Sequence, residues 1–285
     1  MSEIIEITDD FDLDRIADCG QCFRARRLDD GDWIFVTLNH ILRIRQEDTT
    51  HYSVSCTRNE WDHIWGMYFD MERDYSSIRE DLSAKAGNLS TEAYEFLTQS
   101  CECGRGIRIL RQDPWEMLAT FIISQRKSIP AIRGAVERLA YKFGNNLGCV
   151  DDGKDIFSFP SAYELKGASI ADFSECSLGY RAPYLEDAVS KTLSGEFDPS
   201  VLGGLDDDAL FEKLKEIHGV GKKVANCVCL FGYGRTGRAP VDVWIQRAID
   251  EHFGGQDIFP LFGDAAGIVQ QYVFYAMKHN DSSNP

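Results

Sequence analysis

A Gly-Val-Gly turn between two helical patterns constrains this chain more than any other feature of its sequence. Leu210, Leu214 and Ile217 share one helical face, and Gly219 and Gly221 then interrupt the pattern. Glycine accepts a positive φ and lets a neighbour approach the backbone closely. The sequence therefore predicts two helices joined by a tight hairpin, with the second helix beginning near Gly221.

The start of the second helix is suited to binding an anion. Its first N–H groups are free and lie at the positive end of the helix dipole. Val220, Val224 and Val228 recur every four residues and should pack this helix against the previous one. Because short Gly-x-Gly turns are common, the turn by itself favours an ordinary structural hairpin.

A lysine and an aspartate follow the turn at positions that permit chemistry on a sugar. Lys223 lies in the first turn of the second helix and shares a face with Cys227, whereas Lys222 is expected to face solvent or phosphate. Asp242 comes nineteen residues after Lys223, behind Pro240. From the residues alone, Asp242 is as readily a helix N-cap as a catalytic carboxylate.

The first part of the chain alternates in the manner of a sheet. Residues 32–38, 41–45 and 51–55 are predicted strands, since apolar and polar side chains alternate and β-branched or aromatic residues are frequent. Helical spacing begins with residues 61–69 and dominates after Ser77.

Helix-capping and helix-breaking residues divide the rest of the chain into elements. The Asp113-Pro114 pair predicts the start of a buried helix, with aspartate as N-cap and proline at the first helical position. Residues 144–155 are predicted to form a loop, and residues 263–278 the last helix.

These elements predict an α+β protein with a small antiparallel sheet domain and two all-α lobes that enclose a cleft. The sheet domain spans residues 1–85. One lobe, residues 113–234, carries the helix-hairpin-helix, and the second is discontinuous, comprising 86–112 and 235–285. No apolar run approaches the roughly 20 residues that a bilayer-spanning helix needs.

The net charge of −16 should repel DNA at long range. Cations are not evenly spread, however. They concentrate around the predicted site, and local cations together with oriented backbone amides could bind DNA. These residues are Arg126, Lys127, Arg133, Arg181, Lys222, Lys223, Arg235 and Arg238.

Nine scattered cysteines and an acidic N-terminus without a basic region indicate reduced thiols and no signal peptide. We therefore expect a cytoplasmic, nucleoid-associated protein in a prokaryote or a nuclear one in a eukaryote. Cys19-x-x-Cys22 has no second pair to complete a metal site. Because Cys229 is the last cysteine, we expect no iron–sulfur cluster and no metal bound through side chains.

Seven segments in one order resemble the 8-oxoguanine DNA glycosylase family of the helix-hairpin-helix superfamily. The resemblance runs from about Asp12 to the C-terminus, and it is specific because order and spacing agree together. The segments are GQCFR (20–24), RILRQDP (108–114), FIIS (121–124), LGYRAPY (178–184), KKVANCVCL (222–230), PVDVW (240–244) and AGIVQQYVF (266–274).

The resemblance implies a bifunctional glycosylase and abasic-site lyase that excises 8-oxoguanine from duplex DNA during base excision repair. Lys223 would attack C1′ and form a Schiff base that permits β-elimination. Asp242 would stabilise positive charge on the sugar or accept a proton.

Four residues would bind the extruded base. The Gly20 carbonyl would accept a hydrogen bond from the N7–H that oxidised guanine has and normal guanine lacks. Cys227 and Phe274 would sandwich the base, and Gln270 would bond its Watson–Crick edge. Phe274 also fits an ordinary core position in an amphipathic helix.

The resemblance also implies contacts with the duplex. Tyr180 and Arg181 would wedge into it and read the orphaned cytosine, and Lys222 would meet phosphate. Arg126 stands where eukaryotic members have a gap-filling asparagine, and Trp244 where they have a phosphate-contacting histidine.

The hairpin amides of Gly219, Val220 and Gly221 would bind phosphate, with a monovalent cation possible at the hairpin carbonyls. We expect a monomer whose partner is duplex DNA with 8-oxoguanine opposite cytosine. Two alternatives remain: a glycosylase of the same superfamily for another oxidised base, and a non-catalytic helix-hairpin-helix protein that binds DNA.

Overall fold

The computed structural model describes residues 2–87, 89–150 and 153–281. Its strands are β1 (Glu3–Glu6), β2 (Arg26–Arg27), β3 (Trp33–Thr37), β4 (His40–Gln46), β5 (His51–Val54), β6 (Asn146–Cys149) and β7 (Asp155–Phe157). Its helices are α1 (Leu13–Asp18), α2 (Arg58–Glu60), α3 (Gly66–Tyr68), α4 (Tyr75–Lys85), α5 (Thr91–Cys103), α6 (Pro114–Ser124), α7 (Ile129–Phe143), α8 (Ile170–Glu175), α9 (Ala182–Ser194), α10 (Pro199–Leu202), α11 (Asp207–Lys215), α12 (Lys222–Tyr233), α13 (Val243–His252) and α14 (Ala266–Asp281). Short 3₁₀ turns lie at Gly179–Arg181 and Phe259–Ala265, and a π-helical turn at Trp61–Trp65.

The predicted antiparallel sheet is confirmed, and it has five strands in the order β1-β5-β4-β3-β2. One face packs through Phe35 and Leu42 against the aromatic side chains of Trp65 and Phe69. This face forms an apolar core of its own, separate from the main core of the helical part. The α+β class predicted from alternation followed by helical spacing is therefore confirmed.

The prediction of a loop at residues 144–155 is wrong in part, because β6 and β7 form a two-stranded antiparallel hairpin. Ile156 of this hairpin packs against Ile34 and Val36 on the other face of the sheet. The strands are short and β6 contains Gly148, so no alternation marks them in the sequence. Docking on the sheet, rather than strand propensity, stabilises them.

The helical part surrounds α6, whose residues are buried from Trp115 to Ser124. Its predicted start is confirmed, since the Asp113 side chain accepts a hydrogen bond from the Glu116 N–H at 2.8 Å and Pro114 occupies the first helical position. The helix packs against α7, α9 and α12. It therefore gives α12, the second helix of the hairpin, a rigid support.

The predicted start of the last helix at Gly263 is wrong. Gly263 has φ 55° and ψ −124°, a conformation outside any helix, and it lies in the 3₁₀ segment that precedes α14. The helix proper begins at Ala266 and packs against α5 and α13. Within the described ranges, no helix is long and apolar enough to cross a membrane.

Candidate functional site

The predicted hairpin between α11 and α12 is present, and glycine at its apex is required by geometry. Gly219 has φ +79°, and a Cβ there would lie 2.3 Å from Cδ2 of Tyr184. The Val220 N–H donates to the Ile217 carbonyl at 3.0 Å, which closes the turn. Val220, Val224 and Val228 are buried as predicted.

The N-terminus of α12 is open to an anion. Gly221 precedes the helix and has no side chain to cap it, and the space where its Cβ would lie holds no atom within 4 Å. The N–H groups of the first helical turn and the helix dipole therefore face an approachable surface.

The two adjacent lysines lie in different environments. Lys222 is exposed. Lys223 is half-buried, and its Nζ lies 5.1 Å from the centroid of the Phe121 ring on α6. The difference follows from the 3.6-residue helical period, which turns Lys223 but not Lys222 toward the face that carries Cys227.

Lys223 opens onto a cavity of about 50 Å³ that brings together residues from both ends of the chain. All six residues predicted for catalysis and base binding line it: Gly20, Lys223, Cys227, Asp242, Gln270 and Phe274. It is also lined by Cys19, Phe121, Phe231, Pro240 and Gln271, none of which was predicted to be a site residue. Nothing in the sequence distinguishes Gln271 from its neighbour Gln270, because both are glutamines in one helical pattern.

Asp242 serves as the N-cap of α13 while lining the same cavity. Its Oδ1 accepts hydrogen bonds from the N–H groups of Trp244 and Ile245, each at 3.0 Å. The cap uses only Oδ1, so the second carboxylate oxygen has no part in it. Both roles that the sequence left open for this residue are therefore compatible with one position.

Cys227 supplies a neutral surface to the cavity. Burial raises the pKa of its thiol, and the nearby positive charge of Lys223 offsets part of that effect. At neutral pH the group is therefore a thiol rather than a thiolate, so it is suited to contact with a flat apolar partner.

Gly20 and Phe274 touch across the mouth of the cavity. Gly20 has φ +80°, and a Cβ at this position would lie 2.9 Å from Cε1 of Phe274. The ring thus packs against bare backbone, which only glycine permits. The Phe274 ring in this position lines both the cavity and the larger groove that adjoins it.

Gln270 carries an unused hydrogen-bonding group. Its side chain is 3% exposed, and its Oε1 is buried with no hydrogen-bond partner among the described residues. An unsatisfied buried acceptor costs about 1–3 kcal/mol. Because Gln270 lines the cavity, a ligand bound there would be placed to satisfy this acceptor.

A larger groove of about 720 Å³ continues from the cavity, and Gly20, Phe121, Lys223, Asp242 and Phe274 line both. The groove also contacts the start of α12 at Gly221 and the start of α13. Its other polar or aromatic lining includes Arg126, Lys127, Trp244 and Lys278. Arg126 and the half-buried Trp244 therefore line the groove that adjoins the cavity.

Tyr180 and Arg181 form a separate feature near the loop that follows α6. Tyr180 is 50% exposed, whereas Arg181 is 6% exposed. The Arg181 Nε donates to the Gln125 carbonyl at 2.7 Å, and its Cζ lies 4.2 Å from the centroid of the Tyr180 ring. The residue predicted to read a base is thus turned inward in this structure, and it must rotate to reach one.

Two of the cations predicted to concentrate near the site form ion pairs with the start of α11. Arg235 pairs with Asp207 at 3.4 Å, and Arg238 pairs with Asp208 at 2.5 Å. Both arginines follow α12 in the chain, but they fold back on the acidic start of α11 because oppositely charged neighbours are available there.

The nine cysteines are all free. Within the described ranges, no group of three or more His, Cys, Asp or Glu side chains is arranged to hold a metal ion.

Comparison with known proteins gives consistent similarities. The family described as 8-oxoguanine DNA glycosylase, N-terminal domain, matches residues 4–118. A protein of Methanothermobacter thermautotrophicus described as a probable N-glycosylase/DNA lyase is 28% identical over 246 residues, which cover 76% of this chain and 73% of that protein.

Two solved structures are similar over nearly the whole chain. The structure of MBOgg1 in complex with a low-affinity DNA ligand has a TM-score of 0.89 at 34% identity, covering 98% of this chain and 96% of that one. The Clostridium acetobutylicum 8-oxoguanine glycosylase/lyase, in complex with double-stranded DNA containing cytosine opposite 8-oxoguanine, has a TM-score of 0.86 at 32% identity, covering 98% of each chain.

Proposed function

Because the chain belongs to the 8-oxoguanine DNA glycosylase family of helix-hairpin-helix glycosylases, we infer that it excises 8-oxoguanine from duplex DNA and cleaves the resulting abasic site. It is a bifunctional DNA glycosylase and lyase of base excision repair. One observation carries the inference: a half-buried lysine, a carboxylate and the candidate base-binding residues meet at one cavity beside an anion-binding hairpin.

We propose Lys223 as the nucleophile. The target base must leave the stack, because its glycosidic bond is inaccessible in the duplex. The neutral amine forms a bond to C1′, the bond between C1′ and the base breaks, and the base leaves with the electron pair and takes up a proton. Opening of the sugar gives a Schiff base. Loss of a C2′ proton then expels the 3′-phosphate by β-elimination.

We propose that Asp242 stabilises the positive charge that develops on the sugar as the base leaves, or accepts a proton. Its hydrogen bonds to the start of α13 fix the direction of the carboxylate without using both oxygens. A charge held in place before the reaction needs little reorganisation during it.

Recognition of the lesion is assigned to four other residues that line the cavity. The Gly20 carbonyl would accept the N7–H of the oxidised base, whereas normal guanine presents a second acceptor there. Gln270 would bond the Watson–Crick edge, which would satisfy its unpartnered Oε1 or a donor of the same amide. Cys227 and Phe274 would lie on the two faces of the base.

Binding of the duplex is assigned to the groove and the hairpin. The amides of Gly219 and Gly221 would bind phosphate, with Lys222 adding charge at the exposed helix start, whereas the Val220 N–H, which was also predicted to bind phosphate, already donates to the Ile217 carbonyl. Trp244 would line the path of the backbone.

The base opposite the lesion, which loses its pairing partner when the lesion is extruded, is the second determinant of specificity. We propose that Tyr180 wedges into the duplex, that Arg126 fills the gap left by the extruded base, and that Arg181 reads the partner base, which we take to be cytosine. Arg181 must first leave the Gln125 carbonyl, so reading the partner base and opening this contact are coupled.

We further propose that the protein acts as a monomer with no iron–sulfur cluster, and that it is cytoplasmic in a prokaryote or nuclear in a eukaryote. Among the described residues, the Ile217 carbonyl accepts one hydrogen bond, from Val220, and the Gly219 carbonyl accepts one, from Gln125, so each oxygen has a second lone pair. Oxygen ligands of this kind suit a monovalent cation.

Borohydride trapping tests the central assignment. Duplex DNA with 8-oxoguanine opposite cytosine is incubated with the protein, and borohydride reduces any Schiff base to a stable covalent complex. The complex should form with the wild type and with Lys222→Gln, and it should vanish with Lys223→Gln. An absence of trapping with the wild type would contradict the lyase assignment. Trapping with Lys223→Gln would contradict the assignment of Lys223 as the nucleophile.

Duplexes that carry each of the four bases opposite 8-oxoguanine test the proposed reading of the partner base. Excision should be fastest opposite cytosine, and Arg181→Ala or Arg126→Ala should reduce the preference. If replacing 8-oxoguanine by an oxidised pyrimidine gives faster excision, the lesion assignment is wrong.

A further inference from the structure

The carbonyl proposed to read the lesion belongs to Gly20, which has no side chain that could restrict the direction of this carbonyl. Gly20 has φ +80° and no side chain, so its flanking peptide planes rotate more freely than those of any other residue. A recognition group must nevertheless be held within a narrow range of directions. The source of that restraint lies in the peptides on either side of Gly20.

The residue that follows, Gln21, is held through both its side chain and its carbonyl. The Gln112 Nε2 donates to the Gln21 carbonyl at 2.8 Å. The Gln21 side chain, fully buried, donates to the Arg108 carbonyl at 2.7 Å and accepts from the Leu110 N–H at 2.8 Å. The chain is therefore anchored immediately after Gly20.

The peptide that precedes Gly20 is fixed from the other end of the protein. The Gln271 Nε2 donates to the Cys19 carbonyl, and both residues are buried, with exposures of 3% and 0%. Gln271 is the neighbour of Gln270 on α14, three residues before Phe274. The helix that carries two candidate base contacts thus also holds the backbone of the third.

We propose that Gln271 is a positioning residue for lesion recognition: by binding the Cys19 carbonyl it sets the direction of the Gly20 carbonyl and its distance from Gln270 and Phe274. The proposal rests on the proposed function of the cavity. Gln271 does not contact the sugar in this role, so its loss should impair recognition of the base while leaving the chemistry at Lys223 intact.

The test compares two substrates. One is duplex DNA with 8-oxoguanine opposite cytosine, and the other carries a preformed abasic site opposite cytosine, which needs Lys223 but no base recognition. Single-turnover rates are measured for the wild type, Gln271→Met and Tyr272→Phe. Methionine keeps the length of the side chain but removes the donor. Tyr272 is the matched control, because it is buried on the same turn and its hydroxyl has no hydrogen-bond partner among the described residues.

For Q271M, excision of 8-oxoguanine should fall about tenfold, and cleavage of the abasic site should stay within about twofold of the wild type. Y272F should keep both rates. Glutamate is the second variant should Q271M not fold, since Q271E retains size but places a carboxylate against the Cys19 carbonyl. Its ratio of excision to abasic-site cleavage should fall at least as far.

An equal fall on both substrates would overturn the proposal, because it would assign Gln271 a general structural role. Unchanged excision by Q271M would overturn it as well, and would leave the proposed function intact. If the wild type itself does not excise 8-oxoguanine, the proposed function of the cavity is wrong. This result differs from failure of the Gln271 proposal alone, in which the wild type still excises 8-oxoguanine.

Discussion

Asp242 both caps α13 and lines the cavity, so substitutions there should affect protein stability and the rate of excision to different extents. Asp242→Asn keeps an oxygen that can accept from the N–H groups of Trp244 and Ile245, whereas Asp242→Ala removes it. Loss of a side-chain N-cap costs about 0.5–2 kcal/mol, and asparagine caps about as well as aspartate. D242A should therefore lower Tm by about 2 °C for each kcal/mol lost, and D242N by less.

The rate of excision should respond differently. Both variants remove the negative charge from the cavity, and loss of a preorganised electrostatic contact typically costs about 10²–10³-fold in rate. Single-turnover excision of 8-oxoguanine should therefore fall strongly for both, although D242A loses more stability than D242N. Thermal unfolding and rate are measured on the same preparations.

Asp74 provides the matched control. It caps α4 with a hydrogen bond from the Ser77 N–H at 2.8 Å, and it does not line the cavity. D74A should lower Tm as D242A does and leave the rate unchanged. An excision rate for D242N close to that of the wild type would falsify the catalytic reasoning, and equal losses of Tm for D242N and D242A would refute the account of the cap.

Three further predictions follow from single positions. Burial raises the pKa of Glu116 from its ordinary 4.5 to about 7, so its stabilising contribution is complete below about pH 4.5 and is lost as pH rises through 7. Glu116→Gln should consequently be more stable than the wild type at pH 8, with a gap that closes toward pH 4.5; parallel Tm profiles against pH would contradict this. Gly219→Ala places a Cβ against Tyr184 at positive φ, which costs an L residue roughly 1–2 kcal/mol of folding energy, and the resulting shift of the hairpin should weaken binding of damaged and undamaged duplex alike by about tenfold. Gly20→Ala meets the Phe274 ring instead, and it should reduce excision of 8-oxoguanine far more than cleavage of a preformed abasic site; equal loss on the two substrates would refute a local effect.

Local sequence patterns carried most of the fold. Alternation predicted β3 and β4, and the Asp113-Pro114 pair predicted the start of α6, because strand alternation and helix caps depend on near neighbours in the chain. Local patterns failed where stability came from elsewhere. The β6–β7 hairpin is held by contact of Ile156 with the outer face of the sheet. No short window of sequence contains that contact.

The same division applies to the candidate site. Helical periodicity was sufficient to choose Lys223 over Lys222, since it depends only on the spacing to Cys227. The resemblance to a family supplied Gly20, Gln270 and Phe274, which composition and spacing alone left as a turn glycine and core residues. Their common cavity is a result of tertiary packing.

The sequence by itself determined the fold class and the glycine hairpin between two helices, because alternation, helical spacing and helix-breaking residues involve near neighbours in the chain, and it identified Lys223 and Asp242 as catalytic candidates. Only the tertiary structure decided that Gln271 holds the backbone before Gly20, that Arg181 is turned onto the Gln125 carbonyl, and that Arg235 and Arg238 pair with α11. The physical reason is that the partner of a buried polar or charged group is chosen by packing among segments far apart in the chain. The residues next to such a group in the sequence do not identify its partner.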